Sequence, residues 1–196
     1  LQMSIPPQAK DLGGGLQVRR LLPAAQHRAV GPFVFFDHFG PVDVQPDSQL
    51  DVRPHPHIGL ATLSYLFEGA MMHRDSLGVS QRLAPGDLGW MTAGRGIVHS
   101  ERQPAELRGQ HYKLQGMQLW LALPKAHEEA DPGFVHMSAD RLPTVDLPAA
   151  RVRVIAVCAA CTAVAVVATA LPRGAGMYAA LLLVGAGAMG LFPCYY

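Results

Sequence analysis

Two prolines set in alternation hold the stretch Arg53-Pro54-His55-Pro56-His57-Ile58-Gly59 extended. Each proline fixes its own backbone dihedral and pushes the residue before it out of the helical region. In an extended segment successive side chains alternate between two faces, so His55 and His57 point the same way. The spacing recurs downstream in Gly94-Arg95-Gly96-Ile97-Val98-His99-Ser100-Glu101, where His99 and Glu101 again stand two apart. A lone His-x-His is more often surface polarity than a ligand pair. A second same-face pair points to a metal, because two such strands side by side form a pocket of three imidazoles and one carboxylate.

The rest of the chain is punctuated as short strands are. Of 196 residues, 20 are glycine and 16 proline, and only 16% are charged, which suits many strands joined by turns better than long helices. Strands are expected at 16–21, 60–67, 79–83, 88–92 and 114–123. The aromatic run 31–41 is read as a buried strand that delivers Asp37 and His38 to a turn, and 73–78 as a polar loop. Pro85-Gly86-Asp87 is a tight turn. Met91, Trp90, Phe35 and Trp120 are expected to pack the interior.

A net charge of +1 with mixed signs implies no basic face, so no direct nucleic-acid binding is expected. Cys158 and Cys161 form a Cys-x-x-Cys, but no second pair accompanies them and their neighbours are alanine and valine, so neither zinc nor redox chemistry is assigned. No signal-peptide pattern opens the chain, and a cytoplasmic protein is expected. From Val154 to Tyr196 the only charge is Arg173. Residues 154–171 and 174–196 are each nearly long enough to cross a bilayer. They are built of Ala, Gly and Val, however, with a turn-like Leu171–Ala175 between an alternating and an apolar run. Strands are therefore expected there, and no membrane. The division expected is a metal-binding barrel at 1–124, a charged and proline-bearing connection at 125–150, and a partial second domain at 151–196.

The run from Gly31 to Leu123 resembles the pirins, members of the cupin superfamily. The matching pieces are Gly-Pro-Phe-Val-Phe-Phe-Asp-His-Phe-Gly-Pro (31–41), His-Pro-His-Ile-Gly (55–59), Thr-Leu-Ser-Tyr-Leu-Phe-Glu-Gly (62–69) and His-Arg-Asp-Ser-Leu-Gly (73–78). Two more follow, at 85–101 and at Gln-Leu-Trp-Leu-Ala-Leu-Pro (118–124). The resemblance implies an all-β bicupin, two antiparallel barrels with metal in the first only, and ligands at His55, His57, His99 and Glu101. The chain departs from general cupins in having no glutamate near Thr62; Glu101 supplies the carboxylate. It departs from pirins in that 154–196 resembles their second barrel only faintly, so that barrel is expected to be incomplete.

The family metal is usually iron, so Fe(II) is expected, with Mn, Co, Ni, Cu or Zn as other divalent ions the donor set accepts. Several bacterial pirins act as quercetin 2,3-dioxygenases. The resemblance thus implies a dioxygenase on a small aromatic, flavonol-like substrate with O2. On the chemistry of such a pocket, Glu101 either stays a ligand or loosens to act as the catalytic base on the substrate. The alternative is a non-enzymatic, iron- and redox-sensitive regulator that binds a protein partner, a transcription factor or a metabolic enzyme. Ligating histidines need partners for their second ring nitrogens. By polarity, His38, His73, Asp75 and Gln118 are the candidates.

Overall fold

The computed structural model describes residues 6–12, 16–142, 144–147, 150–159, 162–171 and 180–184, with side chains as far as Leu142. The punctuation seen in the sequence becomes fifteen strands and three single turns of 3-10 helix among these residues. They fall into two compact units, residues 1–139 and 140–196.

In the first unit the strands are β1 (Gln8–Asp11), β2 (Gln17–Leu22), β3 (Phe33–Val44), β4 (Val52–His57), β5 (Leu60–Glu68), β6 (Met71–Asp75), β7 (Ser80–Leu83), β8 (Leu88–Thr92), β9 (Ile97–Arg102), β10 (Tyr112–Ala122) and β11 (Gly133–Met137). They form a seven-stranded sheet in the order β1-β2-β3-β10-β5-β8-β11 and a four-stranded sheet in the order β4-β9-β6-β7. Every pairing is antiparallel. The fold is the all-β cupin fold.

The two sheets face each other across a core contributed by both. One cluster joins Val18, Phe39, Val44, Leu66 and Leu114 of the large sheet to Met71 and Leu83 of the small one. A second joins Met91 to Ala93 and Ile97, with Leu60 and Phe134 against it. Met91 thus packs as expected. The first cluster closes only because residue 116 has no side chain. A Cβ there would lie 2.5 Å from Phe39 Cζ, 2.6 Å from the Tyr65 carbonyl and 2.8 Å from Leu66 Cδ2.

Three expectations need correction. Asp37 and His38 do not end a strand; β3 runs on through them to Val44, and both pair within the sheet. His73, Arg74 and Asp75 are not loop but the end of β6, where pairing with β9 overrides their polarity. Part of the expected connection, residues 133–137, is the strand β11, hydrogen-bonded to β8.

The second unit holds β12 (Thr144–Leu147), β13 (Ala150–Ala159), β14 (Thr162–Leu171) and β15 (Ala180–Val184), ordered β12-β13-β14-β15 in one antiparallel sheet. That sheet has two free edges among the described residues and does not close, as an incomplete second barrel requires. Gly13–Gly15, the turn after Leu171, Cys161 and Cys194 lie outside the described residues. Among the described residues no helix is long and apolar enough to cross a membrane.

Gly116→Ala tests the packing argument. Overfilling a closed interior costs about 1–3 kcal/mol, so its urea midpoint should fall clearly below that of the parent. An unchanged midpoint would show that the Phe39–Leu66 contact is loose.

Candidate metal centre

The ladder of the small sheet brings the two sequence pairs together. In β4 and β9, His55 lies opposite His99 and His57 opposite Ile97. Directly opposed residues share a face, so His55, His57 and His99 all project toward the large sheet. Their ring centroids stand 4.4 Å (His55–His99), 5.0 Å (His55–His57) and 5.0 Å (His57–His99) apart. One ligand atom from each lies within 4.8 Å of the others, a spacing that a single divalent ion can span. Glu101 does not join the triad at that spacing. It stands beside it, with Oε1 3.6 Å from His99 Nδ1.

The donor set fits a metal ion on a further observation. Both ring nitrogens of His99 and Oε2 of Glu101 are buried without a hydrogen-bond partner. Leaving such groups unpaired costs about 1–3 kcal/mol each, and a divalent ion would take up a nitrogen and the carboxylate oxygen. The electrostatics agree. Burial, with the His55 ring beside it, lowers His57 to about 4. Burial and the surrounding histidines push His99 far below its ordinary range. Burial raises the Glu101 carboxyl to about 7. At neutral pH His57 and His99 are therefore uncharged, the form that binds metals.

The first orienting contact is local. His55 Nδ1 donates to the carbonyl of Arg53 at 2.8 Å, leaving Nε2 as the ligand atom. Side-chain polarity cannot reveal it, because the acceptor is backbone. A second contact comes from the large sheet. The Trp120 indole meets the His57 ring at 4.9 Å, nearly perpendicular, and stacks on Phe35 at 4.0 Å. Arg20 lies over the other side of that pair, 4.5 Å from the Phe35 centroid, and is held by two 2.8 Å hydrogen bonds to buried Asp37. Trp120 and Phe35, expected as interior packing, are half-buried and form a wall of the site.

The four polar candidates divide. His73 and Asp75 lie on β6 opposite Glu101 and His99, and their side chains are bonded to each other at 2.9 Å. Gln118 shares the Trp120 face of β10 and accepts a 2.7 Å hydrogen bond from Ser64. His38 is not brought to the cluster. It pairs with Met117, one residue out of phase with Gln118, so alternation turns it to the opposite face of the sheet. There its ring nitrogens meet Arg19 and Gln115.

A family model described as Pirin matches residues 15–121. A Pirin-like protein of Caulobacter vibrioides is 54% identical over 129 residues, which cover 65% of this chain and 44% of that protein. Pirin of Homo sapiens is 35% identical over 144 residues, 72% of this chain and 46% of that one. The crystal structure of quercetin 2,3-dioxygenase from Acinetobacter baumannii superposes with a TM-score of 0.76 at 37% identity, covering 83% of this chain and 55% of that chain. The chain spans about half the length of the curated relatives it matches.

His38 offers a pH test away from the cluster. Burial, then the nearby Arg19 charge, lowers it from 6.5 to about 4. A lowered folded-state value means stability that is fully present above 6.5 and lost as pH falls toward 4. His38→Gln should therefore unfold closer in temperature to the parent at pH 4.5 than at pH 7.5. A constant gap between the two would refute a neutral, buried His38.

Proposed function

The chain belongs to the pirin family, and on that premise we propose that it is a metal-dependent dioxygenase of the quercetin 2,3-dioxygenase type, with Fe(II) held by His55, His57, His99 and Glu101. The observation that carries this reading is the three-histidine cluster, with His57 and His99 buried and His55 half-buried, and an unpartnered carboxylate oxygen beside it. Four protein ligands leave two positions of an octahedron for small molecules, which a closed structural site does not. When bound, the ion supplies Lewis acidity and redox chemistry toward O2.

The protein's own part follows from the geometry. Pro54 and Pro56 hold the histidine strand extended before any ion arrives, and the Arg53 carbonyl fixes the His55 ring. Trp120 and Phe35 give the site an apolar, aromatic side suited to a planar, flavonol-like substrate. Glu101 Oε2 has no hydrogen bond to give up, and burial brings its carboxyl near neutrality. Those are the properties of a general base, here one that takes the proton from the substrate's 3-hydroxyl.

The test is quercetin loss followed by absorbance in air, with anaerobically iron-loaded protein beside His57→Ala and with metal content measured on both. The loaded protein should turn over. His57→Ala should lose both iron and turnover. Stoichiometric iron with quercetin untouched would overturn the flavonol reading and leave the regulatory protein, whose partner would then be sought. In the same assay Glu101→Gln should lose turnover far more than iron; parallel loss of the two would make Glu101 a ligand only.

A further inference from the structure

His99 is the ligand whose orientation most needs explaining. Its ring is buried and neither nitrogen is hydrogen-bonded, so packing, with the Glu101 carboxylate 3.6 Å from Nδ1, sets its tilt. The rings of His55 and His57 approach it at 4.4 and 5.0 Å, and that of His73 at 5.4 Å. His55 and His57 come from β4. His73 comes from β6, on the other flank of β9, where it stands opposite Glu101 while Asp75 stands opposite His99. Opposed residues in such a ladder have Cβ atoms about 5 Å apart on one face.

His73 is itself held from two directions. Its Nε2 donates to Asp75 Oδ2 at 2.9 Å, and the two side chains are 5% and 0% exposed. Asp75 Oδ1 accepts from the backbone N–H groups of Leu77 at 2.9 Å and Val79 at 3.1 Å. Asp75 therefore cannot turn without breaking three hydrogen bonds. The His73 ring also lies flat on Phe134, with centroids 3.9 Å and planes 14° apart. Phe134 belongs to β11, at the edge of the opposite sheet, and reaches His73 through space left by Gly89. A Cβ at Gly89 would lie 3.1 Å from Phe134 Cζ and 2.9 Å from Leu83 Cδ1.

We propose that Phe134 and the Asp75-anchored His73 are positioning residues for the metal centre: stacked together, they form the β6-side wall that fixes the His99 ring and the place of Glu101 beside it. The proposal rests on the metal-centre reading above and adds to it residues that touch no metal. Phe134 lies within 125–150, and nothing in its sequence surroundings connects it with the ligand motifs. The site is thereby tied across the barrel to the large sheet at two places, Trp120 on His57 and Phe134 on His73. A shift of β11 would reach His99 through one intervening ring.

Cobalt(II) titration followed by visible absorption tests this without recourse to turnover. The proteins are the parent, His57→Ala, Phe134→Leu, Phe134→Tyr and His73→Phe. Partners that orient a metal's ligands typically account for tenfold to a hundredfold in affinity. Phe134→Leu keeps an apolar side chain but loses the stack, and should weaken cobalt binding about tenfold and alter the d–d band. Phe134→Tyr keeps the stack and should restore both. His73→Phe keeps a ring but loses the Asp75 anchor, and should also alter the band. It serves as the second reading should Phe134→Leu fold poorly. A merely structural role would lower the melting temperature of the metal-free variants and leave affinity and band as in the parent, and that result overturns the proposal. If the parent binds no cobalt, or His57→Ala binds as well as the parent, the metal-centre reading itself falls and takes the proposal with it.

Discussion

The antiparallel register of β4 on β9 is the constraint on which the rest of the site depends. Opposing His55 to His99 puts three imidazoles on one face within reach of one ion. A slip of one residue on either strand would turn that strand's ligands to the other face. The register is held from both sides, because β9 also pairs with β6 and so stands inside the small sheet. It is further fixed by Ile97, which lies opposite His57 and packs with Met91 and Ala93. The ligand ladder is thus continuous with the hydrophobic core, and the positions of the histidines are set by packing before any ion contributes.

The large sheet supplies what the small one lacks. Its face toward the histidines carries Phe35, Trp120, Gln118 and Ser64, and Trp120 meets the His57 ring. Arg20 closes the stack behind Phe35, and its charge is matched by the Asp37 carboxylate, to which it donates two hydrogen bonds. Burying a guanidinium this far is tolerable only with such a partner. The same polar pair therefore satisfies itself and backs the aromatic rings that stand against His57.

Site and core pull in opposite directions energetically. A buried carboxyl with one unpartnered oxygen and an unbonded buried imidazole weaken the folded state, and the raised Glu101 and lowered His99 values express that cost. The dense clusters on either side offset it, down to the missing side chain at Gly116. Strain of this kind, which among the described residues falls on His99 and Glu101, is what a centre prepared for a cation looks like.

The sequence by itself determined most of the strands and the two same-face pairs of candidate ligands. Alternation has a period of two, and at 53–57 proline forbids the helical alternative, so His55 with His57, and by the same spacing His99 with Glu101, could be assigned to common faces without knowing what lay opposite. The all-β class followed from glycine and proline punctuation for the same local reason. What local pattern could not carry is which strands are neighbours. His38, rich in polar promise, falls on the wrong face because its phase relative to Gln118 is set by pairing with β10. His73 and Asp75 read as loop until β9 lies beside them. Phe134, far along the chain in what reads as a connection, arrives at His73 only because β11 pairs with β8. Strand order and register are long-range quantities, decided by how two sheets bury their faces together, and only the tertiary structure could supply them.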